Sequence, residues 1–328
     1  MKKENILTKI SISKLAWIAL VANVIVILQG AIVRVTGSGA GCGRHWPSCQ
    51  GEIIPLNHSI ETMIEFSHRS LSAIVLLLAL WIAYRVILVR KLNRGLFIFG
   101  LLSLLHIIIE ALLGAVTVLF EFTGETVSTA RGLMVATHMV NSLILVGMLT
   151  LTVVYARAKT PPWPLKISKQ GSLATVLMVS IIGMLVLMFT GGIAAMGNTM
   201  FPADSLGQAL RADFDPQSNI LLRLRLLHPL IAISIGIYLF ISLGLSRLIK
   251  PVKEAEGLAR ALLAVYFIQL VIGTFNLALL APGALQVIHL ATAVLAFALL
   301  VTLTVYTLAY SKDSVSNLKF LKNHAKEA

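Results

Sequence analysis

Four histidines of this 328-residue chain are spaced as two related pairs. His68 and His228 stand 160 residues apart, His138 and His289 stand 151 apart, and each lies in an otherwise apolar stretch. A neutral imidazole is a metal ligand, and an ionisable side chain inside an apolar segment is costly enough that it usually has a task. Two histidines in each half of the chain suit bis-histidine ligation of two haems. Discrete metal ions are less well served, because the same stretches hold almost no carboxylate or thiolate to complete a shell. The bland alternative is four core histidines, each bonded to a backbone carbonyl. Glu65 stands three residues before His68 in Glu65-Phe-Ser-His68-Arg69, a spacing that puts carboxylate and imidazole on one helix face. There it could accept a proton, or simply cap a helix N-terminus. The residue three before His228 is Arg225, so the halves differ at this point. A carboxylate beside one metal centre only suggests that one site does chemistry and the other carries electrons.

The elements that must position these residues are membrane helices. The chain is 57% hydrophobic and 12% charged, against about 25% charged in soluble domains. That excludes a soluble enzyme and a disordered chain, and the continuous apolar runs disfavour an outer-membrane barrel. Eight apolar stretches can be read, at 14–34, 67–90, 95–120, 131–156, 172–196, 221–248, 258–280 and 283–310. The first is long and lacks a small-residue cleavage site, so it reads as a retained helix rather than a signal peptide. Of 27 Lys and Arg, 20 fall at the N-terminus, the C-terminal tail and the loops after the second, fourth and sixth spans, and 7 fall on the other side. The positive-inside rule then puts both termini in the cytoplasm. The net charge of +13 is topological, and no nucleic-acid partner is expected. All four paired histidines fall near the outer ends of helices entering from outside, where the helix dipole disfavours imidazolium.

The halves resemble each other. Gly30-Ala-Ile-Val33 answers Gly191-Gly-Ile-Ala194, and Glu110-Ala-Leu-Leu-Gly114 answers Gln269-Leu-Val-Ile-Gly273. The fold class is therefore an all-α integral membrane protein, with eight transmembrane helices as two repeated four-helix bundles divided at 1–160 and 161–328. His106 lies deeper, four residues before Glu110, and reads as its buried polar partner, with a proton path as the alternative. His45, His58 and His324 lie outside the spans. Arg34, Arg69 and Arg131 gather on the outer side, where they could meet carboxylates or serve only as interfacial charges. Cys42 and Cys49, the only cysteines, share the first outer loop. On an oxidising side such a pair can persist as a disulfide; two free thiols or a metal pair are the alternatives.

Thr36-Gly-Ser-Gly-Ala-Gly-Cys42-Gly-Arg-His-Trp-Pro-Ser-Cys49, followed by Glu65-Phe-Ser-His68-Arg69, resembles the first half of the haem A synthase family. The resemblance extends over all eight spans. It implies an oxidoreductase of the cell (inner) membrane that oxidises the C8 methyl of haem O to a formyl group, giving haem A for terminal oxidases. It implies that haem O, the substrate, is held in the N-terminal half, with Glu65, His68 and His138 on the catalytic side. It implies that a bis-histidine haem b is held in the C-terminal half by His228 and His289, with Cys42 and Cys49 as the outer-loop pair. Arg69 and Arg131, with Arg34, stand on the outer side where haem propionates would point and are candidate cofactor-binding residues. Haem O synthase, a terminal oxidase, an unidentified membrane electron carrier and a second copy of the chain are the implied partners. Two departures stand out. The stretch 196–219 lacks the second cysteine pair of many bacterial members, Gly197-Asn-Thr-Met-Phe201-Pro202 being closer to mitochondrial-type relatives. Pro229 stands where many members have an arginine after the third histidine, which leaves Arg223 and Arg225 as the nearby cations. A di-haem cytochrome b subunit and a haem transporter or chaperone are the rival readings. The first has no use for Glu65 or the cysteine loop, and the second needs no redox chemistry.

Overall fold

The computed structural model describes residues 10–56, 59–157, 171–249 and 252–309, so His58, His324 and many of the basic residues behind the topology expectation lie outside the described residues. The described residues form ten α-helices and no strand; the one β-bridge pairs Cys49 with Glu52. The helices are α1 (Ile12–Val35), α2 (Ile60–Leu88), α3 (Arg94–Leu119), α4 (Thr129–Arg157), α5 (Ser172–Met200), α6 (Leu206–Phe214), α7 (Ile220–Arg225), α8 (Leu227–Ile249), α9 (Lys253–Ala278) and α10 (Gly283–Ala309). Eight segments are long and apolar enough to cross a membrane, α7 and α8 together making one of them. This is a multi-pass membrane protein. Large apolar side chains such as Leu77, Phe240 and Phe267 are exposed, as the lipid-facing side of a span requires.

Local chemistry sets the helix starts. Ser11, Ser59, Asn93, Ser205 and Asn219 each accept a backbone N–H of the first turn of α1, α2, α3, α6 and α7. The cap at Ser59 starts α2 seven residues before the apolar run suggests, because Glu61, Thr62 and Glu65 are polar but helix-compatible. Span six breaks at Leu226. Pro229 lacks an N–H and its ring would crowd the carbonyl of Arg225, so α7 stops there and α8 restarts just before His228.

Helix packing closes two rings. α1 packs on α2, α2 on α3, α3 on α4 and α4 back on α1; α5 packs on α8, α8 on α9, α9 on α10 and α10 back on α5. The rings meet through α4 against α5 and α10, and through α1 against α10. α4 is therefore the innermost span, with 67% of its most apolar stretch buried. The densest core lies at the end away from the cysteine loop, with Leu15, Ala79, Leu149, Leu243, Leu262 and Leu300 fully or nearly fully buried. There Gly95 lets Tyr155 sit against the start of α3, and Asn93 donates to the Tyr155 carbonyl at 2.9 Å. The opposite end, which carries the cysteine loop, is more open.

Where α4 meets α5, a Cβ on Gly192 would lie 2.7 Å from the Ala136 Cα, a backbone atom that cannot move aside. Gly192→Ala is expected to lose about 1–3 kcal/mol by overpacking, opposing the gain of about 1 kcal/mol that Ala brings to a helix interior. Thermal unfolding in detergent reads the sign: a lower midpoint supports the packing, and a raised one contradicts it.

Candidate functional site

The four histidines occupy one layer near the cysteine-loop end. His68, His138 and His289 lie six to nine residues into α2, α4 and α10, roughly 9–14 Å at the rise of an α-helix. His228 is the second residue of α8, placed there by the break before Pro229. Each ring lies against a glycine of the neighbouring helix: His68 against Gly30, His138 against Gly114, His228 against Gly191 and His289 against Gly273. A Cβ would stand 3.1, 3.6, 3.0 and 3.1 Å, respectively, from the Cε1 atoms of these four rings. The same glycines mark the internal resemblance in the sequence, where their recurrence was the available signal for this contact.

The C-terminal pair has the spacing of axial ligands. The His228 and His289 ring centroids are 6.3 Å apart with planes 79° from parallel. Imidazole–metal bonds of about 2 Å on both sides of one iron would set two ring centroids roughly 6 Å apart. His68 and His138 lie within electrostatic range of each other. The donor set, two imidazoles in each half and no thiolate, fits haem iron.

Polar neighbours complete the layer. Glu110 of α3 reaches across to α4, its Oε1 standing 3.0 Å from His138 Nε2. Asn141 donates to its other oxygen at 2.5 Å, and the Ser142 hydroxyl bonds Oε1. The expected direct pair of Glu110 with His106 is corrected: Asn141 stands between them, bonding His106 Nδ1 at 2.8 Å and the His106 carbonyl at 3.0 Å. Spacing within one helix predicts shared faces, but an interhelical partner closer to the carboxylate won. In the C-terminal half Gln269 of α9 holds the matching place, its amide nitrogen 3.2 Å from His289 Nε2 and its oxygen bonded by the Thr292 hydroxyl. Thr190 lies 3.3 Å from His228 Nδ1.

Glu65 is not a helix cap, since Ser59 fills that place. Its side chain is buried, and both oxygens are taken: Oε2 accepts the Cys42 N–H at 2.8 Å, and Oε1 accepts Arg69 Nε and Nη2 at 3.1 and 2.5 Å. Arg69 Nη1 donates to the carbonyls of His45 and Ser48. Arg69 thus spends four of its five N–H donors on Glu65 and the loop. The loop itself is closed by a Cys42–Cys49 disulfide. It lies directly on α2, where a Cβ on Gly41 would come within 2.6 Å of the Glu61–Thr62 backbone and Thr62 donates to the Gly41 carbonyl at 2.7 Å. At its edge exposed Arg44 pairs with Glu121; the hydrogen bond holds that carboxyl below the usual carboxylate range and raises the guanidinium.

The remaining arginines separate by task. Arg34 donates to Thr199 Oγ1 at 2.9 Å, joining α1 to α5. Arg131 is buried; Nη1 donates to the Thr126 carbonyl at 2.7 Å, while Nε has no partner among the described residues. Both line a cavity of about 590 Å³ between the two rings, together with Thr199 and Gln286. Arg225 is engaged otherwise, with Asp213 of α6 at 2.5 Å and Asn198, and Arg223 is exposed. Arg225 and Asp213 pin the second long loop much as Arg69 and Glu65 pin the first, a pairing that the sequence does not announce because 12 residues separate its members.

A family model described as COX15-CtaA, cytochrome oxidase assembly protein, matches residues 13–301. A protein of Thermus thermophilus named protoheme IX farnesyltransferase is 40% identical over 279 residues, 84% of this chain and 45% of its own length. Proteins named heme A synthase from Halalkalibacterium halodurans and Staphylococcus haemolyticus are 46% and 36% identical over 101 and 110 residues. Those matches cover 30% and 33% of this chain and 33% and 36% of the relatives. The chain thus spans less than half the length of these curated relatives.

The glycine contacts make a graded prediction. Gly191→Ala and Gly273→Ala must displace the imidazole opposite; for a couple that ligates haem iron, the expected result is a haem affinity lowered on the order of tenfold, the usual effect of disturbing a ligand's support. Gly114→Ala meets its ring at ordinary contact distance and should change little. Haem per protein in purified variants checks this; equal content in all three would remove the glycines from the site.

Proposed function

The chain belongs to the COX15-CtaA family of cytochrome oxidase assembly proteins, and from that premise we propose that it is a haem A synthase. It oxidises the C8 methyl group of haem O to a formyl group. The observation that carries the reading is the pair of histidine couples in one layer, each ring backed by a glycine, with His228 and His289 at axial-ligand spacing. The relatives named heme A synthase support the activity. The relative named protoheme IX farnesyltransferase matches nearly this whole chain with under half its own length, which supports a working link to the enzyme that makes haem O. A terminal oxidase is the natural recipient of the product.

In this reading residues 1–160 form the substrate half and 161–328 the electron-transfer half, two repeated four-helix units. His68 and His138 hold haem O by its iron, and His228 and His289 hold haem b. Haem b, when bound, supplies one-electron transfer between the reacting half and a membrane carrier. The protein's own groups do the rest. The lipid-facing bundle admits a farnesylated substrate from the side. Arg34 and Arg131 line the cavity between the rings and receive propionates there, since guanidinium pairs well with carboxylate. Glu65 fastens the disulfide loop to α2 through Cys42 and Arg69, keeping water and orientation under control beside His68. It is the carboxylate nearest in sequence to that ligand, and it takes up a proton from the reacting methyl group once one of these bonds opens. Both termini face the cytoplasm, on the strength of the 20 to 7 division of Lys and Arg, and the histidine layer lies toward the outer face.

Three experiments test this. Glu65→Gln cannot accept from Cys42 and Arg69 together as the carboxylate does. It should keep haem b while haem O accumulates at the expense of haem A in extracted pigments; near-normal haem A would strip Glu65 of its role. His228→Ala or His289→Ala should remove the low-spin haem b signal, and His68→Ala or His138→Ala mainly the substrate haem. Loss of haem b in the first-half variants alone would reverse the assignment. For topology, a tag at Leu56 should be labelled from outside intact cells, and a tag at the C-terminus should not.

A further inference from the structure

We propose that Glu110 and Gln269 are positioning residues that set how firmly each half keeps its haem: Glu110 makes the His68–His138 site exchangeable, and Gln269 lets the His228–His289 site retain its haem. The inference rests on the reading above that each histidine couple holds one haem.

The two residues hold matching places in the repeated segments, each four residues before the glycine that backs the same histidine. Each reaches the Nε2 edge of that histidine, Glu110 at 3.0 Å from His138 and Gln269 at 3.2 Å from His289. Each is also bonded by a hydroxyl one turn further along the histidine's helix, Ser142 or Thr292. The architecture is shared and the functional group is not: one half has a carboxylate, the other an amide.

That difference reverses the hydrogen bond. A ring nitrogen of a neutral imidazole either carries hydrogen or offers a lone pair. Glu110 already receives Asn141 on one oxygen and Ser142 on the other, so it acts as an acceptor. Its contact therefore calls for hydrogen on His138 Nε2, the tautomer with no lone pair there for iron. At Gln269 the Thr292 hydroxyl occupies the amide oxygen and turns the amide nitrogen toward His289. The amide donates, and His289 Nε2 keeps its lone pair, the tautomer an axial ligand uses. To hold iron, His289 would give up a neutral hydrogen bond and keep its tautomer. To hold iron, His138 would give up a charge-assisted bond, roughly twice as strong, and change its tautomer as well. The first half therefore binds more weakly and releases more readily, as a site whose haem enters as substrate and leaves as product requires. The second half keeps a resident group.

The test exchanges the two residues in the full-length chain, purified in detergent, loaded with protohaem IX and washed. Retained haem per protein and the low-spin spectral signal are read together. Glu110→Gln should raise retained haem toward double that of the unaltered chain, with added low-spin signal, and His138→Ala in the Glu110→Gln background should abolish the gain. Gln269→Glu should lower retention several-fold while the protein keeps its elution profile and melting behaviour. Unchanged retention and spectrum in both exchanges would overturn the inference and leave the haem reading standing. An unaltered chain that retains no protohaem would overturn the haem reading itself, and the inference with it.

Discussion

An imidazole can approach the backbone of a neighbouring helix only where that helix carries no side chain. Everything in the histidine layer depends on this. Gly30, Gly191 and Gly273 each leave the space of a Cβ, and a ring crowds into it, while Gly114 meets its ring at ordinary contact distance. The helices can then stand close while four bulky polar rings remain inside the bundle. In each closed ring of helices the glycine helix and the histidine helix are packed neighbours, so a side chain added at the glycine would push on the imidazole opposite. The glycines, more than the histidines, fix the distance between the members of a couple.

Polar groups this deep in an apolar bundle must satisfy one another, since an unpaired one costs several kcal/mol. α4, the innermost span, carries the burden with Asn141, Ser142 and Thr152 all buried and hydrogen-bonded. Asn141 links the His106 and Glu110 that one helix presents one turn apart. Glu110 therefore turns to His138, and the first half acquires a carboxylate at its histidine where the second half has an amide.

At the same end of the molecule, two arginine–carboxylate pairs hold the long loops. Arg69–Glu65 fastens the disulfide loop to α2, and Arg225–Asp213 fastens α6 to the start of span six. All four side chains are largely or fully buried. Pairs of this kind add little net stability but penalise any other arrangement of the groups they join. Their role is register: they hold irregular chain over the open end of the bundle, which the tight core at the opposite end cannot do. The two pairs differ in that Arg69–Glu65 is local to one helix turn, whereas Arg225–Asp213 spans a connection.

Much of this protein is legible in the sequence because membrane helices are specified by composition. The eight spans, the shared depth of the four histidines and the proximity of the two cysteines follow from apolar runs, helical rise and short separation. The start of α2 did not follow, because a polar first turn capped by Ser59 does not register as apolar. The break before His228 has its cause in Pro229, but an apolar run with a proline near its start reads as one continuous span. What only the tertiary structure decided is which groups meet between helices. Spacing of three or four places Glu65 beside His68 and His106 beside Glu110 on helix faces, yet Glu65 bonds Cys42 and Arg69, and Glu110 bonds His138. Spacing fixes the face a side chain shares within its own helix. The partner it takes depends on the rotation and depth of the neighbouring helix, and these are set by the packing of glycines and bulky side chains from distant parts of the chain.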